Sequence, residues 1–174
     1  FWTANTNQAL VSDFASAGSE RFVAYGRQGR ALNAGWAVAS GSFISAIAAT
    51  IVAGQPRLYV ASSDTLSAYD ANGQLINSVN TTSVTSLAAD GASNTVWVLT
   101  NGNIIAYTPD LSSSNPPISG ACSVNIAFGN GAVWSTGTFG CLKRLAAGST
   151  NLETLLSSSN LVDTVLPPTF AQGT

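Results

Sequence analysis

The chain has 174 residues, of which 8 are acidic, 6 basic and none histidine, for a formal net charge of −2. That length suits one domain with a sizeable core, and a single lysine with five arginines leaves no basic stripe able to neutralise several phosphates, so nucleic acid is excluded as an expected partner. The lack of histidine removes Ser-His-Asp catalysis and histidine-ligated metals, and no apolar run is long enough to span a bilayer as a helix.

Phe1-Trp2-Thr3 opens the chain with β-type residues and without the layout of a signal peptide, so the sequence reads as a mature or excised piece. Residues 9–14 alternate and predict a strand closed at Ala17-Gly18. Residues 23–40, with Gly26, Gly29 and Gly35, predict an insertion loop or an extra hairpin. Within it Tyr25, Arg27, Arg30 and Trp36 have the aromatic and arginine composition of an interface hot spot, the expected contact with a partner or the next subunit. An apolar run at 43–47 reads as a strand, followed by the pair Leu58-Tyr59, a strand at 66–70 and the turn Asp70-Ala71-Asn72-Gly73. Asn80-Thr81-Thr82 is a candidate glycosylation sequon at Asn80.

The same succession returns. A run at 84–88 precedes Val96-Trp97, a strand at 104–108 and Pro109-Asp110; a run at 124–128 precedes Val133-Trp134, a strand at 141–145 and Ala147-Gly148. A last run at 161–166, with Leu161, Val162, Val165 and Leu166 as its apolar positions, has no aromatic pair after it, so Phe1-Trp2 would follow if the chain were circular. The units start near 1, 58, 96 and 133, and a period of about 40 residues with four short strands is the signature of propeller blades. Cys122 and Cys141, the two cysteines, are expected to form one disulfide, with two buried thiols as the alternative.

Leu58-Tyr59-Val60-Ala61-Ser62, the stretch from Leu66 through Ala71-Asn72-Gly73 to Leu75, and the echo from Val96-Trp97-Val98-Leu99 to Tyr107 resemble the blades of the propeller group that includes YVTN-type, NHL-type and quinoprotein-like repeats. The fold expected is therefore all-β: residues 1–174 as one β-propeller of about four blades, each of four antiparallel strands. The strand at 161–166 would complete the blade begun at Phe1, or alternatively that of a neighbouring subunit; four blades cut from a longer propeller is the third arrangement. Most rings of this kind have six to eight blades, and many occur on prokaryotic cell surfaces.

Candidate sites each have a plainer reading. Asp13, Asp70 and Asp110 recur at turns, where a carboxylate caps backbone N–H groups more readily than it builds the six to eight oxygens of a calcium site. Trp2, Tyr59, Trp97 and Trp134 share one place in the repeat, which favours packing between blades over sugar stacking. Lys143-Arg144 reads as a solvated strand end or a salt bridge to Glu153. Glycoside hydrolysis needs only two carboxylates and survives the lack of histidine, but the acids fall in turns.

Ser, Thr and Asn, together 54 of the 174 residues, stand where Lys and Glu usually supply the surface, which suits a protein outside the cell and a surface prone to meet its own copies. The function expected is that of a non-enzymatic extracellular or cell-surface structural protein, a self-assembling subunit of a filament or layer, with no cofactor, no metal and itself as partner. The alternatives are a secreted adhesin-like or lectin-like propeller that binds glycans or protein, and a fragment of a larger propeller enzyme.

Overall fold

A computed structural model describes the backbone of residues 2–4, 8–13, 21–26 and 36–37, together with residues 44–62 and 64–157. The described residues are all-β, with a single short 3-10 turn at Thr138–Gly140 and no α-helix. They form four antiparallel sheets, each a four-stranded meander. The first sheet holds β1 (Trp2–Ala4), β2 (Gln8–Asp13), β3 (Arg21–Gly26) and β4 (Trp36–Ala37). The second holds β5 (Ile44–Val52), β6 (Gln55–Ser62), β7 (Thr65–Tyr69) and β8 (Leu75–Asn80). The third holds β9 (Val84–Asp90), β10 (Thr95–Thr100), β11 (Asn103–Tyr107) and β12 (Ile118–Ser119); the fourth holds β13 (Asn125–Gly129), β14 (Ala132–Thr136), β15 (Leu142–Ala146) and β16 (Glu153–Leu156).

The first strands carry the contacts between sheets: β1 lies beside β5, β5 beside β9, and β9 beside β13. This is a propeller-like arrangement, in which the second and third sheets each lie between two neighbouring sheets. Burial explains the composition of the strands. β6 and β10 run between sheets and are enclosed on both faces over Leu58-Tyr59-Val60-Ala61 and Val96-Trp97-Val98-Leu99, so their apolar residues are continuous instead of alternating. β7 and β11 are covered on one face and alternate buried with half-buried positions. β8 and β16 end their sheets and are largely exposed.

Two differences from the sequence-based expectation follow from the hydrogen bonding. The second, third and fourth sheets begin at 44, 84 and 125, not at the aromatic pairs near 58, 96 and 133, because the strand before each pair is hairpinned to it. Tyr59, Trp97 and Trp134 therefore lie on second strands, whereas Trp2 lies on β1, a first strand, and does not share their register. Residues 23–40, expected as an insertion loop or an extra hairpin, contain part of β3 and all of β4, which pair antiparallel as the third and fourth strands of the first sheet. That sheet draws four strands from residues 2–37, and Leu161, Val162, Val165 and Leu166 lie outside the described residues. No strand pairing joins one sheet to another among the described residues.

Candidate functional site

The repeated aromatics occupy equivalent registers. Tyr59 stands between Ala48 and Ala68, Trp97 between Ala88 and Ala106, and Trp134 between Ala127 and Arg144. At Tyr59 and Trp97 the alanines on either side leave room for a large ring to reach the next sheet. Tyr59, fully buried, packs with Ala61, Leu66, Val96, Val98 and Leu111 between the second and third sheets. Its hydroxyl donates to the Pro109 carbonyl at 2.9 Å, and burial pushes the phenol up to about 12, with Arg57 pulling down and Asp110 adding a smaller push. Trp97 packs with Leu99, Ile104, Ile126, Val133 and Leu145 between the third and fourth sheets, but its indole N–H has no acceptor. Trp134 is half-buried; its N–H donates to the Gly129 carbonyl at 3.1 Å and the Arg144 guanidinium lies 5.8 Å from its ring centroid.

Polar stitches complete the contacts between sheets. The buried Ser86 hydroxyl on β9 accepts from the Ile126 N–H on β13 at 3.1 Å and reaches the Ile126 carbonyl at 3.5 Å. Cys122 and Cys141 are bonded, with Cα atoms 5.9 Å apart, and the Cys122 N–H donates to Ser135 Oγ at 3.2 Å. The disulfide thereby fastens the connection entering the fourth sheet onto the β14–β15 hairpin. A disulfide is compatible with an oxidising, extracellular location, and no helix among the described residues is long and apolar enough to cross a membrane.

The turn aspartates act on backbone. Asp70 accepts from Asn72 and Gln74 N–H at 2.9 and 2.8 Å, Asp90 from Ala92 and Ser93 N–H at 3.0 Å each, and Asp110 from Ser112 N–H at 3.1 Å and Ser112 Oγ–H at 2.8 Å. Hydrogen bonds from Ser112 and Thr108 hold the Asp110 carboxyl below its ordinary range. Among the described residues no three His, Cys, Asp or Glu side chains gather as metal ligands. Arg144, and not its neighbour Lys143, pairs with Glu153 at 3.3 Å across β15 and β16; the Lys143 ammonium donates to the Gly120 carbonyl.

The interface candidates of the first sheet are only partly placed. Tyr25 lies on β3 opposite Ala9 and Trp36 on β4 opposite Phe22, while Arg27 and Arg30 lie outside the described residues. Asn80 is exposed at the end of β8. The feature that sequence reasoning missed lies on the outer edges. Four of the five exposed large apolar side chains among the described residues are on terminal strands: Leu75 (58%) and Ile76 (37%) on β8, Leu155 (40%) and Leu156 (54%) on β16. β8, Leu75-Ile76-Asn77-Ser78-Val79-Asn80, carries no charge and no proline, and β16 carries only Glu153. By contrast β12 and β4 have two residues each, and Pro116-Pro117 precedes β12, which blunts that edge. The signal was present in sequence as the charge-free run 71–80.

No family model and no curated protein matches the chain. Solved structures do resemble it. The computationally designed Ika8 protein is 18% identical, with a TM-score of 0.65, over 98% of this chain and 52% of that one. The designed Ika4 protein is 18% identical, with a TM-score of 0.60, over 76% and 82% respectively. BamB from Moraxella catarrhalis, a β-propeller-type fold, is 15% identical, with a TM-score of 0.63, over 98% and 51%. The chain thus spans about half the length of the first and last of these, and the likeness is one of fold: an all-β, propeller-like chain carrying one disulfide.

Proposed function

We propose that this chain is a non-enzymatic structural protein of the extracellular space or cell surface, whose copies join edge to edge into a filament or layer. In this reading its blades are of the YVTN, NHL and quinoprotein-like kind and its four sheets close into a ring. The observation that carries the proposal is the pair of terminal strands, β8, six residues without a charge, and β16, four residues with Glu153 as the one charge, each exposing two large apolar side chains. Unpaired N–H and C=O groups along such an edge are a template for another strand, and soluble monomers usually block them with charge, proline or a short strand. β8 and β16 belong to different sheets with the third sheet between them, so a β8-to-β16 contact is heterologous and propagates instead of closing as a dimer. A surface with few charges adds little repulsion between copies. The disulfide and the Ser, Thr and Asn content support an oxidising exterior.

The test places lysine on both edges, Leu75→Lys with Leu156→Lys, and compares native and variant protein by negative-stain electron microscopy at matched concentration. Native protein is expected to give ordered filaments or sheets and the variant isolated particles, since a buried lysine at an edge contact is left without a partner. Isolated particles from the native protein, or filaments undiminished in the variant, would contradict edge-to-edge assembly.

A further inference from the structure

The contacts that the third sheet makes with the second and with the fourth are built alike but sealed differently. Where the second sheet meets the third, the turn after β11 closes with the Leu111 N–H on the Thr108 carbonyl at 2.9 Å. Leu111, 1% exposed, enters the core beside Tyr59, and Pro109 accepts the Tyr59 hydroxyl. The space is filled and the polar tip of the aromatic is satisfied. Where the third sheet meets the fourth, the corresponding turn after β15 closes with the Ser149 N–H on the Ala146 carbonyl at 3.0 Å. Here Ser149 stands where Leu111 stands in the other turn, the positive φ of 78° falls one residue earlier, on Gly148, and no large side chain is delivered. A cavity of about 430 Å³ remains, with Trp97 in its wall, and the indole N–H is buried without an acceptor.

We infer that this cavity between the third and fourth sheets is a binding site for a neutral saccharide unit. Its volume lies within the range of small-molecule sites, about 300–1,000 Å³. Trp97, Pro116, Pro117 and Ile118 give it apolar surface, while Asn115 and Ser149 supply neutral donors and acceptors. No ionisable side chain is among its described lining, so a charged ligand would lose hydration without compensation. A sugar ring combines C–H faces for the apolar wall with uncharged hydroxyls for the amide and hydroxyl groups. The site is independent of the outer edges β8 and β16, so it stands whether or not the chain assembles.

The experiment is ligand-observed saturation-transfer NMR on the whole chain, which works for a monomer and a filament alike. The probes are methyl glycosides of glucose, galactose and mannose and N-acetylglucosamine, with glucosamine and glucuronate as charged counterparts. At least one neutral probe is expected to show saturable transfer through its C–H protons, with little from the charged pair. Ser149→Leu, which fills the cavity as Leu111 fills its counterpart, is expected to weaken binding by about tenfold or more, and Trp36→Ala to leave it unchanged. Should Ser149→Leu fail to fold, Asn115→Ala at the exposed rim carries the same expectation. Absence of transfer from every neutral probe, equal transfer from the charged pair, binding undiminished by the cavity variants, or loss in Trp36→Ala would each overturn the assignment.

Discussion

Gly91, in the turn after β9, lies close against β5. A Cβ added there would lie 2.4 Å from the Ile51 carbonyl oxygen and 2.8 Å from Thr50 Oγ1, and the nearer atom is backbone that cannot swing aside. Gly91→Ala is expected to destabilise the chain by about 1–3 kcal/mol, as overpacking does, measured by the denaturant midpoint. An unchanged midpoint would mean that the 91–94 turn does not rest on the β5–β6 hairpin. Tyr59 gives the corresponding test by pH. Its folded phenol is pushed up to about 12 while the unfolded one titrates near 10, so the folded state holds the proton more tightly. Stability from this group is whole below pH about 10 and is lost as pH rises towards 12, by ~2 kcal/mol; burial raises Tyr69 and Tyr107 as well, in the same direction. Tyr59→Phe is expected to flatten that alkaline fall while removing the bond to Pro109 at a cost of about 1 kcal/mol.

At the scale of elements, the disulfide ties a connection to a hairpin across a separation of 19 residues, and closing a loop of that length stabilises by about 3 kcal/mol in the chain-entropy view. Cys122→Ser with Cys141→Ser is expected to lower stability by roughly that amount, read from denaturant unfolding; a loss below about 1 kcal/mol would show the pairing to be incidental. The strands β6, β10 and β14 were legible in sequence because an aromatic returns to the same register three times, in two of them, at Tyr59 and Trp97, buried between alanines. Their partners were harder to phase. Strands on either side of an aromatic pair are equally apolar, and only the turns tell a hairpin from a crossing between sheets. Asn130-Gly131 carried that information: both residues take positive φ, 52° and 68°, in a two-residue loop that makes 125–129 and 132–136 one hairpin. Strands of two residues, such as β4 and β12, are too short for any periodicity to register.

At the scale of the molecule, low charge was visible in the composition, but where the apolar surface emerges was not. Leu75 and Leu156 look like core residues in sequence; only the order of strands within each sheet puts them at an edge. The Trp97 cavity was hidden for a similar reason, because it depends on comparing two turns, 108–111 and 146–149, whose side chains differ while their hydrogen bonds agree. The exposed edges raise one question, whether the chain exists alone. Size-exclusion chromatography with light scattering over a wide concentration series addresses it most directly. Mass is expected to rise with concentration well beyond 17.7 kDa without settling at a dimer, as heterologous edge contacts require. A constant 17.7 kDa at every concentration would contradict assembly and leave β8 and β16 as exposed edges of a monomer.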